Sequence, residues 1–458
     1  MSRKTHPLDP LFRPKSVVIV GASKTPGKIG HALLTNVLKY GFKGPVYPVN
    51  PKYDEIEDLK CYPTVLDIPG EIDLVIVAIP AESVPKVIGE IGAKGGKVAV
   101  VISSGFKEVG REDLEKELLE YGRKYGVRIL GPNIFGVAYT PEKLNATFGP
   151  TEVREGSIAF ITQSGALGIA LMGWTIVEKI GLSALISVGN KSDIDDADLL
   201  EWLKDDPYTK VILIYMEGVK DGRRFLKVAK EVSKKKPIVV IKAGRTARGM
   251  KAVSSHTGSL AGMDSVYSAA FEQAGILRAE NVEEAFDWAV LFSTGKVPLG
   301  EETVIITNGG GVGVLATDAC EINGIKLLDP PEDLKEAFSS YMPPFGSARN
   351  PVDITGQATH VEFEGAVEAA IKHDSVKNII VLYCQTAVSD PIKLAEVLVK
   401  QNKSTEKPMV ASFIGGEKVA RAMEIMREGG FPAYPTPERA VKALAAMLKW
   451  GRKRKLLG

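Results

Sequence analysis

The sequence predicts an α/β protein of parallel sheets covered by helices on both faces, and two observations carry that expectation. Short apolar runs rich in Val and Ile alternate with amphipathic stretches from Ser16 almost to the carboxyl end, the reading of strands buried on both faces and joined by crossover helices. Two segments of the later chain also repeat each other, each with a turn of small residues between a strand and a helix. The 458 residues are enough for about three domains, each with its own core.

In the first domain, 1–150, the expected strands are Val17–Gly21, Val46–Asn50, Leu74–Pro80, Val98–Ser103 and Arg128–Pro132, with helices such as Ile29–Tyr40 and Arg111–Tyr125 between them. That order of elements is Rossmann-like. A second domain, 151–295, opens at Ser157–Ile161 and continues through Ala184–Val188, Val211–Glu217 and Ile238–Lys242. A third, 296–458, opens at Thr303–Thr307 and continues through Ile325–Leu328, Val352–Ile354, Ile379–Cys384 and Met409–Phe413.

The later two domains align on each other. Ile161-Thr162-Gln163-Ser164-Gly165-Ala166-Leu167-Gly168 matches Ile306-Thr307-Asn308-Gly309-Gly310-Gly311-Val312-Gly313 without a gap, and Asp206–Glu217 matches His373–Gln385 once one residue is allowed for. Two flavodoxin-like parallel-sheet domains are therefore expected after the Rossmann-like one. A hinge is expected around Leu291–Glu302, and the basic run Arg452–Lys455 reads as cations at a helix carboxyl end.

Composition narrows the function classes. A formal net charge of +2 gives no electrostatic reason to expect nucleic acid. Cys61, Cys320 and Cys384 are far apart, so neither a disulfide framework nor a metal site is suggested, and a reducing, cytoplasmic setting fits. Met1–Pro14 is polar and interrupted by proline, unlike a signal peptide, and no apolar run approaches the ~20 residues of a membrane span.

Gly21-Ala22-Ser23-Lys24-Thr25-Pro26-Gly27-Lys28-Ile29-Gly30 joins the first strand to the first helix, where backbone N–H groups and the helix dipole favour a phosphate. It is not a nucleotide-hydrolysing P-loop, because five residues rather than four separate Gly21 from Gly27 and Ile29 replaces the metal-binding hydroxyl. Ser23 occupies the second glycine position of the NAD fingerprint, and Asn50-Pro51-Lys52 offers a cation where NAD enzymes place a ribose-binding acid. Lys52 suits a ligand whose adenosine ribose is phosphorylated at the 3′ position, as in coenzyme A. A tight turn without a ligand is the bland alternative.

Ser164-Gly165-Ala166 and Gly309-Gly310-Gly311 each open a helix without bulky side chains, and each such terminus carries about +0.5 charge. Together they would form an anion trap; singly, either could be a close-packing turn. His256 lies in a run of small and hydroxyl-bearing residues, Ala252–Gly262, expected as a loop. An imidazole is a competent nucleophile toward phosphorus, and the helix termini would neutralise the phosphohistidine. Glu217, at a strand's carboxyl end, is the candidate for the other ring nitrogen; its alternative is a solvated carboxylate near Lys220 and Arg223.

With these residues in place, the chain resembles the alpha subunits of ADP-forming acetyl-CoA synthetases, in the acyl-CoA synthetase superfamily that includes succinyl-CoA synthetase. The resemblance spans nearly the whole chain and rests on the Gly21 loop, Val49-Asn50-Pro51-Lys52, Ala78-Ile79-Pro80, Gly131-Pro132-Asn133, Gln163-Ser164-Gly165 and Ser255-His256-Thr257-Gly258. It implies coenzyme A or acetyl-CoA in the first domain, with Gly21, Ser23, Lys52, Pro80 and Asn133 as contacts, and phosphorylation of His256. It further implies that acyl-CoA, ADP and phosphate give a carboxylic acid, coenzyme A and ATP, reversibly and through an acyl phosphate. ADP and its Mg2+ would bind an ATP-grasp beta subunit, for which the three domains leave no room, in an alpha2beta2 assembly. Ile134 stands where succinyl-CoA synthetase has cysteine, so acyl specificity does not carry over. Competing readings are an NAD-dependent oxidoreductase and a noncatalytic coenzyme A sensor.

Overall fold

The five apolar runs of the first 150 residues pair in the order Val46–Val49, Val17–Val20, Leu74–Val77, Val98–Val101, Arg128–Leu130 in a computed structural model, which describes residues 5–257 and 263–457. All neighbours are parallel, with Val17 opposite both Val46 and Leu74. The helix Ile29–Tyr40 has its expected bounds and ends at Gly41, whose φ of 97° is the left-handed cap glycine allows.

The second sheet has seven strands, in the order Leu277–Ala279, Ile238–Lys242, Val211–Met216, Glu155–Thr162, Leu182–Ser187, Gly136–Tyr139, Leu144–Thr147. Its last two strands form an antiparallel hairpin that precedes residue 150 in sequence yet pairs with Leu182–Ser187. The third sheet runs Val352–Asp353, Thr303–Thr307, Asn378–Cys384, Met409–Ile414, Ala433–Tyr434, all parallel. Ile325–Leu328 makes one bridge, Leu327 to Thr303, where a strand is expected; Pro330 and Pro331 follow at once and cannot donate to a ladder.

In each sheet the first of the parallel strands in chain order (Val17–Val20, Glu155–Thr162 and Thr303–Thr307) lies between the second and third, so the crossovers reverse direction there. This reversal opens a crevice at the strands' carboxyl ends.

The chain divides into two compact units, Met1–Arg278 and Ala279–Gly458, the first of which holds two of the three sheets. The first two sheets share one apolar core, with Phe12 stacked on Trp202 at 3.8 Å between ring centroids. Buried Asp206 reinforces it by accepting from Tyr139 Oη at 2.7 Å and Arg13 Nη2 at 3.2 Å. The helix Val282–Ser293 belongs to the second unit, where Arg439 grips Asp287 through two bonds of 2.7 Å and Tyr434 Oη donates to the Asp287 carbonyl at 2.8 Å. The expected hinge at 291–302 therefore lies inside that unit. Among the described residues no helix is long and apolar enough to cross a membrane.

Candidate functional site

Val17–Val20 delivers the chain to Gly21, which adopts φ 90°; a Cβ there would lie 2.2 Å from the Ala78 carbonyl oxygen. Only glycine lets this turn pass beside the third strand's end. Asn50 Nδ2 holds the Ala22 carbonyl at 2.8 Å, and Asn50 Oδ1 accepts from the Lys52 backbone N–H at 3.0 Å. Ser23 is half-buried, and its Oγ accepts from the Thr25 N–H at 3.1 Å. Lys52 and Pro80 are exposed. No side chain caps the amino end of Ile29–Tyr40, so its first N–H groups retain their capacity for an anion.

Asn133 joins this crevice at φ 62°, with its N–H bonded to the Ser103 carbonyl at 2.9 Å. Ser103 Oγ in turn meets both the carbonyl (2.5 Å) and the N–H (3.2 Å) of Ile79. The sequence reading missed Ser103, whose only signal is its place at a strand's carboxyl end.

In the second sheet, Ser164 caps the helix Gly165–Val177 through Oγ, and a Cβ on Gly165 would meet nothing within 4 Å. Neither packing nor backbone strain demands that glycine, so space for an occupant is left at the helix start. Gln163 Oε1 accepts from the N–H groups of Glu217 (2.9 Å) and Gly218 (3.2 Å), tying the helix start to the next strand's end. Glu217 is only 3% exposed, which rules out the solvated alternative. Nearby Lys242 lies 4.4 Å above the Tyr267 ring; burial, then Arg278, draws its ammonium below the usual value against the opposing pull of Asp264 and Glu217.

These two crevices open into one cleft of about 610 Å³, with Ile79, Ser103 and Asn133 on one side and Gln163, Ser164 and Gly165 on the other. Ile134, Phe148 and Ile169 contribute apolar surface, and no ionisable side chain lines it among the described residues. Asn190, at its edge, donates to Glu108 (2.7 Å) and Glu115 (2.9 Å). Burial raises the Glu108 carboxyl, but the bonds from Asn190, Gly105 and Phe106 outweigh it and hold the group below its ordinary range.

The repeat is reproduced atom by atom in the second unit. Thr162 Oγ1 donates to the Ser164 carbonyl and accepts from its N–H at 3.0 and 3.2 Å; Thr307 does the same for Gly309 at 3.1 and 3.0 Å. Asn308, the counterpart of Gln163, pairs with the N–H and carbonyl of Cys384 at 2.8 and 2.9 Å. The helix Gly310–Ile322 has no side-chain cap, and Gly310 and Gly311 are exposed. One difference escaped the sequence reading: a Cβ on Gly310 would lie 3.3 Å from Asp353 Oδ2, so this terminus already neighbours a carboxylate.

Ala247–Thr257 is an α-helix, where a loop is expected from Ala252 onward. Thr246 Oγ1 accepts from the Gly249 N–H at 3.0 Å, and this cap starts a helix that the small residues continue. His256 falls in its last turn; the His256 side chain and all of 258–262 lie outside the described residues. The helix runs close to the turn Lys107–Val109, near the cleft edge.

Family models match three stretches: a CoA binding domain over residues 15–140, a succinyl-CoA ligase like flavodoxin domain over 155–292, and a ligase-CoA domain over 303–458. The subunit alpha of acetate-CoA ligase [ADP-forming] I from Pyrococcus furiosus is 59% identical over 97% of this chain and 98% of its own length. An acetate-CoA ligase [ADP-forming] of Methanocaldococcus jannaschii is 44% identical over 95% of this chain but only 62% of its own length. A solved structure of dinucleotide forming acetyl-coenzyme A synthetase 1 from Ca. Korarchaeum cryptofilum, in complex with phosphate and ADP, superposes with a TM-score of 0.95 at 50% identity, covering 98% of both chains.

Proposed function

The chain belongs to the ADP-forming acetate-CoA ligase family, with its alpha subunits, and from that premise we propose how its residues share the reaction. Acyl-CoA binds at the first crevice, its phosphates against the Gly21 loop and Lys52, its pantetheine end passing Pro80 toward Asn133. Inorganic phosphate sits at the Ser164–Ala166 helix start. Its oxygen attacks the thioester carbonyl, breaking the C–S bond to release coenzyme A thiolate and form an acyl phosphate. His256 then attacks phosphorus, freeing the carboxylate, and Glu217 stabilises the imidazolium that develops. Gly309–Gly311, in the second unit, offers N–H donors to a phosphate in the same way as the Ser164–Ala166 helix start.

The observation that carries this reading is the shared cleft. Ser103 and Asn133 from the coenzyme A side and Ser164 and Gly165 from the phosphate side line the same 610 Å³, so thioester and phosphate can meet. Among the described residues no ionisable side chain lines it, which favours developing charge being met by fixed N–H dipoles.

ADP and Mg2+ bind a separate ATP-grasp beta subunit in an alpha2beta2 assembly. In support, the Methanocaldococcus relative extends well beyond its matched 62%. His256 must then travel to a distant nucleotide site, which makes movement of its segment part of turnover. An NAD-dependent oxidoreductase is not favoured, since the second strand ends without a ribose-binding acid. A noncatalytic sensor fails to explain the paired helix termini.

The test supplies acetyl-CoA, magnesium and labelled phosphate to wild type and His256→Ala and maps acid-labile label. Label confined to wild type is expected; equal labelling of the variant refutes the covalent role. Stable ADP binding by the isolated chain would refute the separate nucleotide subunit.

A further inference from the structure

Lys191 is buried at 3% exposure, adopts φ 53° and donates through Nζ to Asp196 Oδ2 at 2.5 Å and to the Gly218 carbonyl at 3.1 Å. Three costly features coincide here. A left-handed backbone is uncommon for a residue with a side chain. A buried ion pair is often no more stabilising than an apolar pair of the same volume. Asp196 Oδ1 is buried with no hydrogen-bond partner among the described residues. Stability alone does not account for such a cluster, and its location offers another reason.

Gly218 follows Glu217, and its peptide is held from two sides. Gln163, on the phosphate side of the cleft, accepts the N–H groups of Glu217 and Gly218, while Lys191 holds the Gly218 carbonyl. Lys220 reciprocates, donating to the Ser192 carbonyl at 2.6 Å. The loop bearing Lys191 is itself anchored to the coenzyme A side, where the N–H groups of Asn190 and Ser192 bond the carbonyls of Pro132 (3.1 Å) and Gly131 (3.0 Å). Asp196 occupies the first turn of the helix Asp196–Lys204, where the dipole favours its negative charge.

We propose that Lys191, clamped by Asp196 and reciprocated by Lys220, is a positioning residue that fixes the Glu217 turn relative to both walls of the cleft. The inference rests on the catalytic reading of Glu217. Without the clamp the Glu217 carboxylate drifts, and misplacement by about 1 Å can cost on the order of 100-fold in rate.

The test is a double-mutant cycle in the enzyme assembled with its partner subunit. Lys191→Met/Asp196→Leu removes both charges together, so no unpaired ion is left buried. Turnover at saturation should fall about 100-fold, with the KM for acetyl-CoA within about twofold of wild type. Added to Glu217→Gln, the same changes should cause little further loss, because they act through that carboxylate. Wild-type turnover in the folded variant, or losses that multiply with those of Glu217→Gln, would overturn the positioning role alone. Wild-type turnover in Glu217→Gln would overturn the catalytic reading and the proposal with it. Should the charge pair be needed for folding, Lys220→Met removes only the reciprocal bond; a drop of roughly tenfold at unchanged KM supports the stitched turn, and no drop overturns it.

Discussion

Truncating Gln163 tests the link between the helix start and Glu217 most directly. Its Oε1 accepts two backbone N–H groups, at 2.9 and 3.2 Å, and the residue is 8% exposed. Gln163→Ala leaves both donors unmade, and a buried unmade donor costs about 1–3 kcal/mol. The Glu217 N–H is in a buried residue and should incur most of that, whereas half-buried Gly218 should incur less, giving about 2–4 kcal/mol for the pair. Gln163→Glu separates structure from charge. It keeps acceptors for both amides but places an anion beside the helix start, and unit charges several ångströms apart near a protein surface interact by a few kcal/mol. The KM for phosphate should then rise at least roughly tenfold, and taking a carboxylate out of water beside buried Glu217 adds its own cost in stability. Guanidinium unfolding followed by circular dichroism reads stability, taken from the first unit's transition because the two units have separate cores. Initial rates at varied phosphate read the KM. A loss below about 0.5 kcal/mol in Gln163→Ala would refute the reasoning, since the amides would then be satisfied without the side chain.

Gly21→Ala should weaken coenzyme A binding measured by calorimetry, because its methyl would sit 2.2 Å from the Ala78 carbonyl oxygen at φ 90° and the loop must shift; unaltered affinity would contradict the close approach. Asp206→Ala should lower the stability of the first unit by about 2–4 kcal/mol, since buried Tyr139 and Thr209 and half-buried Arg13 all donate to that carboxylate; thermal unfolding near that of wild type would contradict it. Burial draws the Lys296 ammonium from its usual 10.5 down to about 8. The unfolded chain then holds that proton to higher pH than the folded one, so this group's contribution becomes more favourable as pH rises from about 8 toward 10.5. The unfolding midpoint of wild type relative to Lys296→Met should accordingly move upward across that window, and a constant or falling difference would refute the burial argument.

Much of the architecture was legible because buried parallel strands are both short and almost wholly apolar. Ile238–Lys242 and Thr303–Thr307 are found with the expected bounds. The gapless match of Ile161–Gly168 with Ile306–Gly313 extended even to individual bonds, because Thr162 and Thr307 perform the same task at the two helix starts. Local reading failed where the deciding partner is distant. The hairpin Gly136–Thr147 looks like the end of one domain and pairs with the next sheet, since its register is set by Leu182–Ser187. Ala252–Thr257 reads as a loop from its small and hydroxyl residues, yet a helix begun upstream at the Thr246 cap runs through it.

For the site, the sequence by itself determined which strand-to-helix turns are free of bulky side chains, because glycine and small residues at such a junction have a local backbone meaning. It also determined that Glu217 stands at a strand's carboxyl end, since side-chain alternation and strand length are local properties. The tertiary structure decided that Glu217 is buried, that Gln163 and Lys191 hold its peptide from opposite sides, that Ser103 joins the cleft, and that Asp353 neighbours the second helix start. Those facts depend on contacts between residues far apart in the chain. Their side-chain chemistry is visible in the sequence, but the partners and the burial that give it force exist only once the sheets have packed.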